Sequence, residues 1–138
     1  MEDQNMEQRV VKRFINKLMW DGKRTKIELM MSKVFERLTM EQFIRAIRLA
    51  SPVIEMRSKR IGGRNYQVPV EIPYKRQEGK GMKWIIEETR KNKKGKPMSD
   101  QLVTELKLTL DKKGGAYRKK MELHKLGEAN KSYLHYRW

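Results

Sequence analysis

The sequence predicts a mainly α-helical domain of six helices, with a two-stranded β-hairpin protruding between helices three and four. Three observations carry this. Apolar residues recur at helical spacing along most of the chain, one stretch near 53–72 switches to strict alternation, and Asp-Gly, Gly-Gly and Pro punctuate the segments. A length of 138 residues suits one domain. We expect it to cover residues 9–138, preceded at 1–8 by an acidic N-terminal tail carrying Glu2, Asp3 and Glu7.

The first helix rests on a stripe of Val10, Val11, Phe14, Ile15, Leu18 and Met19, with Lys12, Arg13 and Lys17 off it, and the pair Asp21-Gly22 breaks it. Ile27, Met30, Met31, Val34, Phe35 and Leu38 form the second stripe. The third helix begins at Thr39, which forms a capping box with Gln42, and Pro52 stops it. Next come Val53, Ile54 and Met56, a turn within Ile61 to Asn65, and Tyr66, Val68, Val70 and Ile72 in alternation, which is the hairpin at about 53–72. Pro69 cannot donate to a ladder, which suits a ribbon whose two strands are both edges. Helical period returns near Met82, Ile85 and Ile86, and again at Leu102, Val103, Leu106 and Leu110. Gly114-Gly115 is expected to end the fifth helix, and the sixth to run from about Arg118 towards Asn130.

Charge bounds the function. Lys and Arg number 33 against 17 Asp and Glu, a formal net charge of +16, which calls for an anionic counterpart. The basic residues lie along the whole chain rather than on one amphipathic helix, so nucleic acid is favoured over a membrane surface. No apolar run approaches the about 18 residues of a membrane span. The absence of Cys excludes disulfides, thiolate nucleophiles and zinc-thiolate sites. An acidic start is the opposite of an Arg-rich transit peptide, so the chain is expected to work where it is made.

Four groups of cations stand out. Arg57, Lys59, Arg60 and Arg64 cluster at the far end of the hairpin, more than edge protection alone requires. Arg90, Lys91, Lys93 and Lys94 belong to a loop at 90–96 read as basic and flexible, though a solvated linker would look the same. Lys23 and Arg24 follow a turn at a helix start, where free N–H groups favour phosphate, and Arg118, Lys119 and Lys120 occupy an equivalent position. Trp84, Tyr66, Tyr136 and Trp138 could stack on unpaired bases. Core packing serves Trp84 equally well, whereas Tyr136 and Trp138 fit contact with a partner.

Signals of catalysis are poor. His124 and Glu128 are four apart on a helix and read as a surface pair rather than metal ligands. Glu87 and Glu88 are adjacent and diverge on a helix, so they make no catalytic carboxylate pair. Gly79-Lys80-Gly81 lacks both the strand and the third glycine of a dinucleotide fingerprint. Neither an enzyme nor a cofactor is expected.

The hairpin string from Val53 to Glu71, containing Met56-Arg57-Ser58-Lys59-Arg60-Ile61-Gly62-Gly63 and Tyr66-Gln67-Val68-Pro69-Val70, resembles the signature of small-subunit ribosomal protein seven of the bacterial and organellar type. So do Gly115-Ala116, Lys119-Lys120, Glu122, His124, Glu128-Ala129-Asn130 and His135-Tyr136-Arg137-Trp138, together with Asp21-Gly22-Lys23 and Met82-Lys83-Trp84-Ile85. The resemblance covers roughly residues 9–138. It implies a six-helix fold with the ribbon after the third helix. It also implies a structural role: binding the 3′ major domain of small-subunit rRNA, nucleating assembly of the subunit head, and lying near the mRNA exit channel and exit-site tRNA. Small-subunit proteins nine and eleven would be neighbours.

On this reading Lys12, Arg13, Lys23, Arg24, the hairpin-tip cations, Lys83, the 90–96 loop, Arg118 to Lys120 and Arg137 would neutralise rRNA phosphates. The acidic start departs from the family's basic arm. Gly79 and Gly81 stand where the family has better helix formers, so the fourth helix is expected to start late or to be ordered by RNA. The short arm favours a mitochondrial matrix protein over a plastid or bacterial one. An architectural DNA binder outside the ribosome and an RNA-processing enzyme are the rival readings.

Overall fold

The computed structural model describes residues 2–19 and 23–136, with the backbone alone for 2–4 and 134–136. In chain order the elements are α1 (Glu2–Leu18), α2 (Arg24–Arg37), α3 (Met40–Ala50), β1 (Ile54–Ile61), β2 (Arg64–Glu71), α4 (Tyr74–Asn92), α5 (Met98–Leu110) and α6 (Gly115–Ala129), followed by a 3₁₀ segment (Lys131–Tyr136). The six helices and the inserted antiparallel hairpin are those read from the sequence. The Asp21-Gly22 break lies outside the described residues.

One core joins all six helices. Phe14 of α1, Val34 of α2, Phe43 of α3, Met82 and Ile85 of α4 and Leu102 and Leu106 of α5 are fully buried, joined by Ala116 of α6. The Phe43 ring takes Phe14 edge-on at 5.1 Å and Phe35 at 5.2 Å. That arrangement suits the ring quadrupoles. The capping box at the start of α3 is present: Thr39 Oγ1 accepts from the Gln42 N–H at 3.1 Å, and Gln42 Oε1 accepts from the Thr39 N–H at 3.0 Å.

The ribbon pairs Ile54 with Glu71 at its base and Ile61 with Arg64 at its tip. Gly62 and Gly63 both take positive φ, 59° and 82°, as a two-residue hairpin turn matching strand twist requires. Burial fades along it: Val68, Val70 and Ile72 are buried at the base, while residues 62–65 are exposed. The base lies on α6, where a Cβ at Gly127 would collide with Ile54 Cδ1.

Helix boundaries differ from the sequence reading in four places. α1 already begins at Glu2, so residues 2–8 form its first turns. α4 starts at Tyr74, directly after Pro73, and runs through both Gly79 and Gly81. It does not start late, because Gly81 is where the last turn of α3 presses on it. A Cβ there would stand 2.6 Å from Ser51 Oγ and 2.9 Å from the Ile47 carbonyl oxygen. Tertiary contact therefore outweighs the low helix propensity of glycine.

Gly114-Gly115 does not end α5. That helix closes at Leu110 through Lys112, at φ 59°, whose N–H donates to Thr109 while Lys113 N–H donates to Leu108. This is a glycine-type stop built on a lysine. Gly114 instead starts α6, as its N-cap at φ 88°.

Candidate nucleic-acid interface

Strand alternation sorts the ribbon cations. Arg57, Lys59 and Arg64 share a face with Tyr66 and Val68, and Arg60 lies on the opposite face beside Asn65. Arg57 is 3.8 Å from Glu55 on the same face, and Arg60 and Arg64 carry no ion pair among the described residues. Tyr66 packs its ring 5.0 Å from that of Tyr133, so the 3₁₀ segment braces β2. The core side of the ribbon is apolar and the far end cationic.

Two groups distant in sequence meet on the helical body. Arg90 and Lys91 are not in a loop; they form the last turn of α4, and the connection proper is Lys93 to Pro97. There Lys94 and Gly95 take positive φ and Lys96 N–H donates to the Lys93 carbonyl at 2.8 Å. Arg90 and Lys93 face Lys23 and Lys26 across a groove of about 420 Å³ whose floor includes Leu18, Ile27, Met30 and Met98. Arg90 also donates to the Leu18 carbonyl at 3.4 Å. Lys23 is the N-cap of α2 and makes no side-chain cap bond to the first N–H groups of that helix.

Other cations are engaged within the protein. Arg13 binds Glu78 at 2.6 Å and the Lys75 carbonyl at 3.1 Å. Arg24 folds back onto Glu28 and Asn16, at 2.9 and 3.0 Å. Lys119 lies 3.2 Å from Glu87 and 3.5 Å from Glu88, tying α6 to α4. Thus Glu87 and Glu88, though adjacent, share one lysine. With α6 starting at Gly115, Arg118 to Lys120 sit a turn inside the helix rather than at its free N–H groups. Lys120 lies 6.0 Å from the Tyr117 ring, and burial, with Lys112 nearby, pulls its ammonium below the usual lysine value. Arg118, Lys12 and Lys83 are exposed, the last 4.0 Å from Glu87. Arg137 and Trp138 lie outside the described residues, as does the side chain of Tyr136. Trp84 is half-buried against the core, the packing alternative of its two readings.

His124 is not paired with Glu128. Its Nε2 accepts the Val53 N–H at 3.2 Å, fastening α6 to the start of the ribbon. Burial first, and the charge of Lys120 second, hold its imidazole below the usual histidine value. Among the described residues no group of three or more His, Cys, Asp or Glu could hold a metal ion, and no helix is long and apolar enough to cross a membrane.

The sequence reading missed four cations: Lys17, Lys75, Arg76 and Lys80, which with Arg13 and Lys83 ring a cleft between α1 and α4. Starting α4 at Tyr74 would have revealed Arg76 and Lys80, since Arg76, Lys80 and Lys83 then fall at spacings of four and three on one helix face.

The sequence model of the family described as Ribosomal protein S7p/S5e matches residues 1–131. The small ribosomal subunit protein uS7 of Helicobacter hepaticus is 39% identical over 137 residues, covering 94% of this chain and 88% of the relative. That of Nitratiruptor sp. is 39% identical over 146 residues, covering 100% and 93%. The Borreliella burgdorferi protein is 39% identical over 144 residues, covering 99% and 91%. These relatives are bacterial, and the mitochondrial preference drawn from the sequence finds no support in them.

Proposed function

The chain belongs to the ribosomal protein S7p/S5e family, a structural and non-enzymatic component of the small ribosomal subunit, and from that premise we propose how it acts there. It binds the 3′ major domain of small-subunit rRNA, nucleates assembly of the subunit head, and directs its ribbon towards the mRNA exit channel and exit-site tRNA. Small-subunit proteins nine and eleven are its neighbours.

The observation that carries this reading is the ribbon itself. Its base is anchored in the fold by buried Val68 and Val70, while Arg57, Arg60 and Arg64 stand exposed towards its far end. A projecting cationic strand pair reaches into a folded RNA where a flat surface cannot. The groove lined by Lys23, Lys26, Arg90 and Lys93 supplies a second cationic contact on the helical body. Phosphate contacts of this kind give affinity that falls with salt. Discrimination comes from RNA shape, because the A-form major groove is too narrow for side chains to read.

The test is affinity for a 3′ major domain transcript against a scrambled RNA of equal length, across salt. A large preference that persists at high salt is expected. Equal affinities that collapse together would leave only a generic polycation.

A further inference from the structure

The groove between α1 and α3, bordered by the first turn of α4, differs in chemistry from the cationic surfaces. It encloses about 370 Å³ and is lined by Met6, Glu7, Val10, Glu41, Ile44 and Tyr74, with Arg45, Arg48 and Glu78 beside them. No lysine lines it, although lysines line both the α2–α4 groove and the α1–α4 cleft. The start of α1, which supplies Met6 and Glu7, holds Glu2, Asp3 and Glu7 over residues 2–8 and neither lysine nor arginine.

The apolar residues of this groove are open to a partner. Met6 is 49% exposed and Tyr74 55%, two of the six large hydrophobic side chains that stand exposed among the described residues. Val10 is buried in the same groove, and Ile44 is half-buried against the core. The Tyr74 hydroxyl accepts from Arg48 Nε at 3.2 Å, which holds the ring in place. Tyrosine, methionine and arginine are enriched in protein–protein interfaces, and lysine is depleted there.

Charge selects the kind of partner. Glu7 and Glu41 make no ion pair among the described residues, and neither does Arg45, while Glu78 is answered by Arg13 at 2.6 Å. A phosphodiester backbone entering the groove meets two unneutralised carboxylates. A polypeptide can answer every group: its lysines or arginines pair with Glu7 and Glu41, an aliphatic side chain covers Met6 and Tyr74, and a backbone carbonyl accepts from Arg45. The net charge of +16 does not forbid this, because exposed charges more than about 8 Å apart are largely screened at physiological ionic strength.

We propose that the α1–α3 groove is a docking site for another protein, and that its occupant is an extended segment in which an aliphatic side chain is flanked by lysine or arginine. The two open carboxylates select the cations, and Met6 and Tyr74 select the apolar side chain between them. The groove thus gives the chain a protein-binding face besides the proposed RNA-binding one, and it stands independently of that reading.

The test uses the full chain and a fluorescein-labelled peptide with one leucine between two pairs of lysines, followed by anisotropy. An all-lysine peptide of equal length is the comparison. Glu7→Gln with Glu41→Gln is set against Glu36→Gln with Glu122→Gln, which removes two exposed carboxylates that make no ion pair among the described residues. Both pairs change the net charge equally. The wild type should prefer the leucine peptide, and the groove pair should bind it roughly three- to tenfold less tightly than the control pair does. Absence of binding by the wild type, or equal affinities of the two pairs, overturns the proposal.

Met6→Ser, at an exposed position, should by itself remove the advantage of the leucine peptide over the all-lysine one. An advantage that survives overturns the docking site even if the groove pair fails to fold. The same variant should leave affinity for the 3′ major domain transcript unchanged; a loss would assign the groove to RNA and overturn the proposal. Concentration-dependent association of the free chain in sedimentation, abolished in the groove pair, would mean that a second copy fills it, and would overturn it too. A transcript that binds no better than scrambled RNA, with the peptide results as described, sinks the assembly reading and leaves the docking site standing.

Discussion

The N–H of Val53 donates to Nε2 of His124 across 71 positions of sequence, at 3.2 Å, and so fastens the first residue of the ribbon region to the middle of α6. An acceptor nitrogen must be unprotonated, so this bond exists only for the neutral imidazole. Burial and Lys120 disfavour the charged form in the folded state, which lowers the folded pKa below the ordinary value of 6.5. Between that value and the lowered one the unfolded chain binds more protons than the folded one, and stability rises with pH there. The contribution is therefore complete above about pH 6.5 and is lost as pH falls through the folded value. His124→Gln keeps an acceptor without a titration. Melting temperatures from pH 7.5 to 5 should fall more steeply for the wild type than for this variant, and parallel profiles would count against the account.

Two glycines in one helix should respond in opposite directions to alanine. At Gly81 the new methyl meets Ser51 Oγ at 2.6 Å and the Ile47 carbonyl at 2.9 Å, backbone included, so α3 must move. Overpacking of this kind costs about 1–3 kcal/mol, more than the gain of up to about 1 kcal/mol from helix propensity. At Gly79 the neighbours are the ends of Arg13 and Lys17, which can shift, so propensity should win by about 0.5 kcal/mol. Urea midpoints of Gly81→Ala and Gly79→Ala decide it, and shifts of the same sign would refute the packing argument.

The cations divide into structural and available ones. Lys119 lies against the buried Glu88 carboxylate, so Lys119→Gln should destabilise the fold by about 1 kcal/mol. Lys93 and Lys94 are exposed and without ion pairs among the described residues. Replacing both by Gln should leave the urea midpoint within about 0.5 kcal/mol and weaken rRNA binding, most at low salt. Reversed assignments, in unfolding and filter-binding measurements, would falsify the division.

Binding should also stabilise the domain. At a free transcript concentration one hundred times Kd, a ligand specific for the folded state adds about 2.7 kcal/mol. With a net charge of +16 relieved by the same event, the melting temperature should rise by several degrees on adding the 3′ major domain transcript. No shift at saturation would mean that the transcript does not bind the folded chain in preference to the unfolded one, and would count against the account.

Local chemistry made much of this legible. Thr39 and Gln42 are three residues apart and cap the helix that follows whatever surrounds them, and Gly62-Gly63 between alternating segments can close only a tight hairpin turn. The apolar stripes of α1 to α3 and the clustering of Arg57, Lys59, Arg60 and Arg64 followed from spacing alone. Boundaries decided by distant contacts did not. α4 crosses Gly79 and Gly81 because α3 leaves no room for a side chain at Gly81, and α5 stops at Lys112 rather than at a glycine.

What the sequence by itself determined is the order of the elements, the protruding ribbon and the basic character that requires an anionic partner. Periodicity, turn chemistry and net charge are each local or additive, so they survive without knowledge of the fold. Tertiary structure alone decided which cations are available and which are committed. Arg13 and Lys119 look no different in the sequence from Lys12 and Arg118, yet the first two rest on Glu78 and on Glu88 with Glu87. An ion pair depends on where two chain segments meet, and α1 meets α4, as α4 meets α6, only because the apolar faces between them have been buried first.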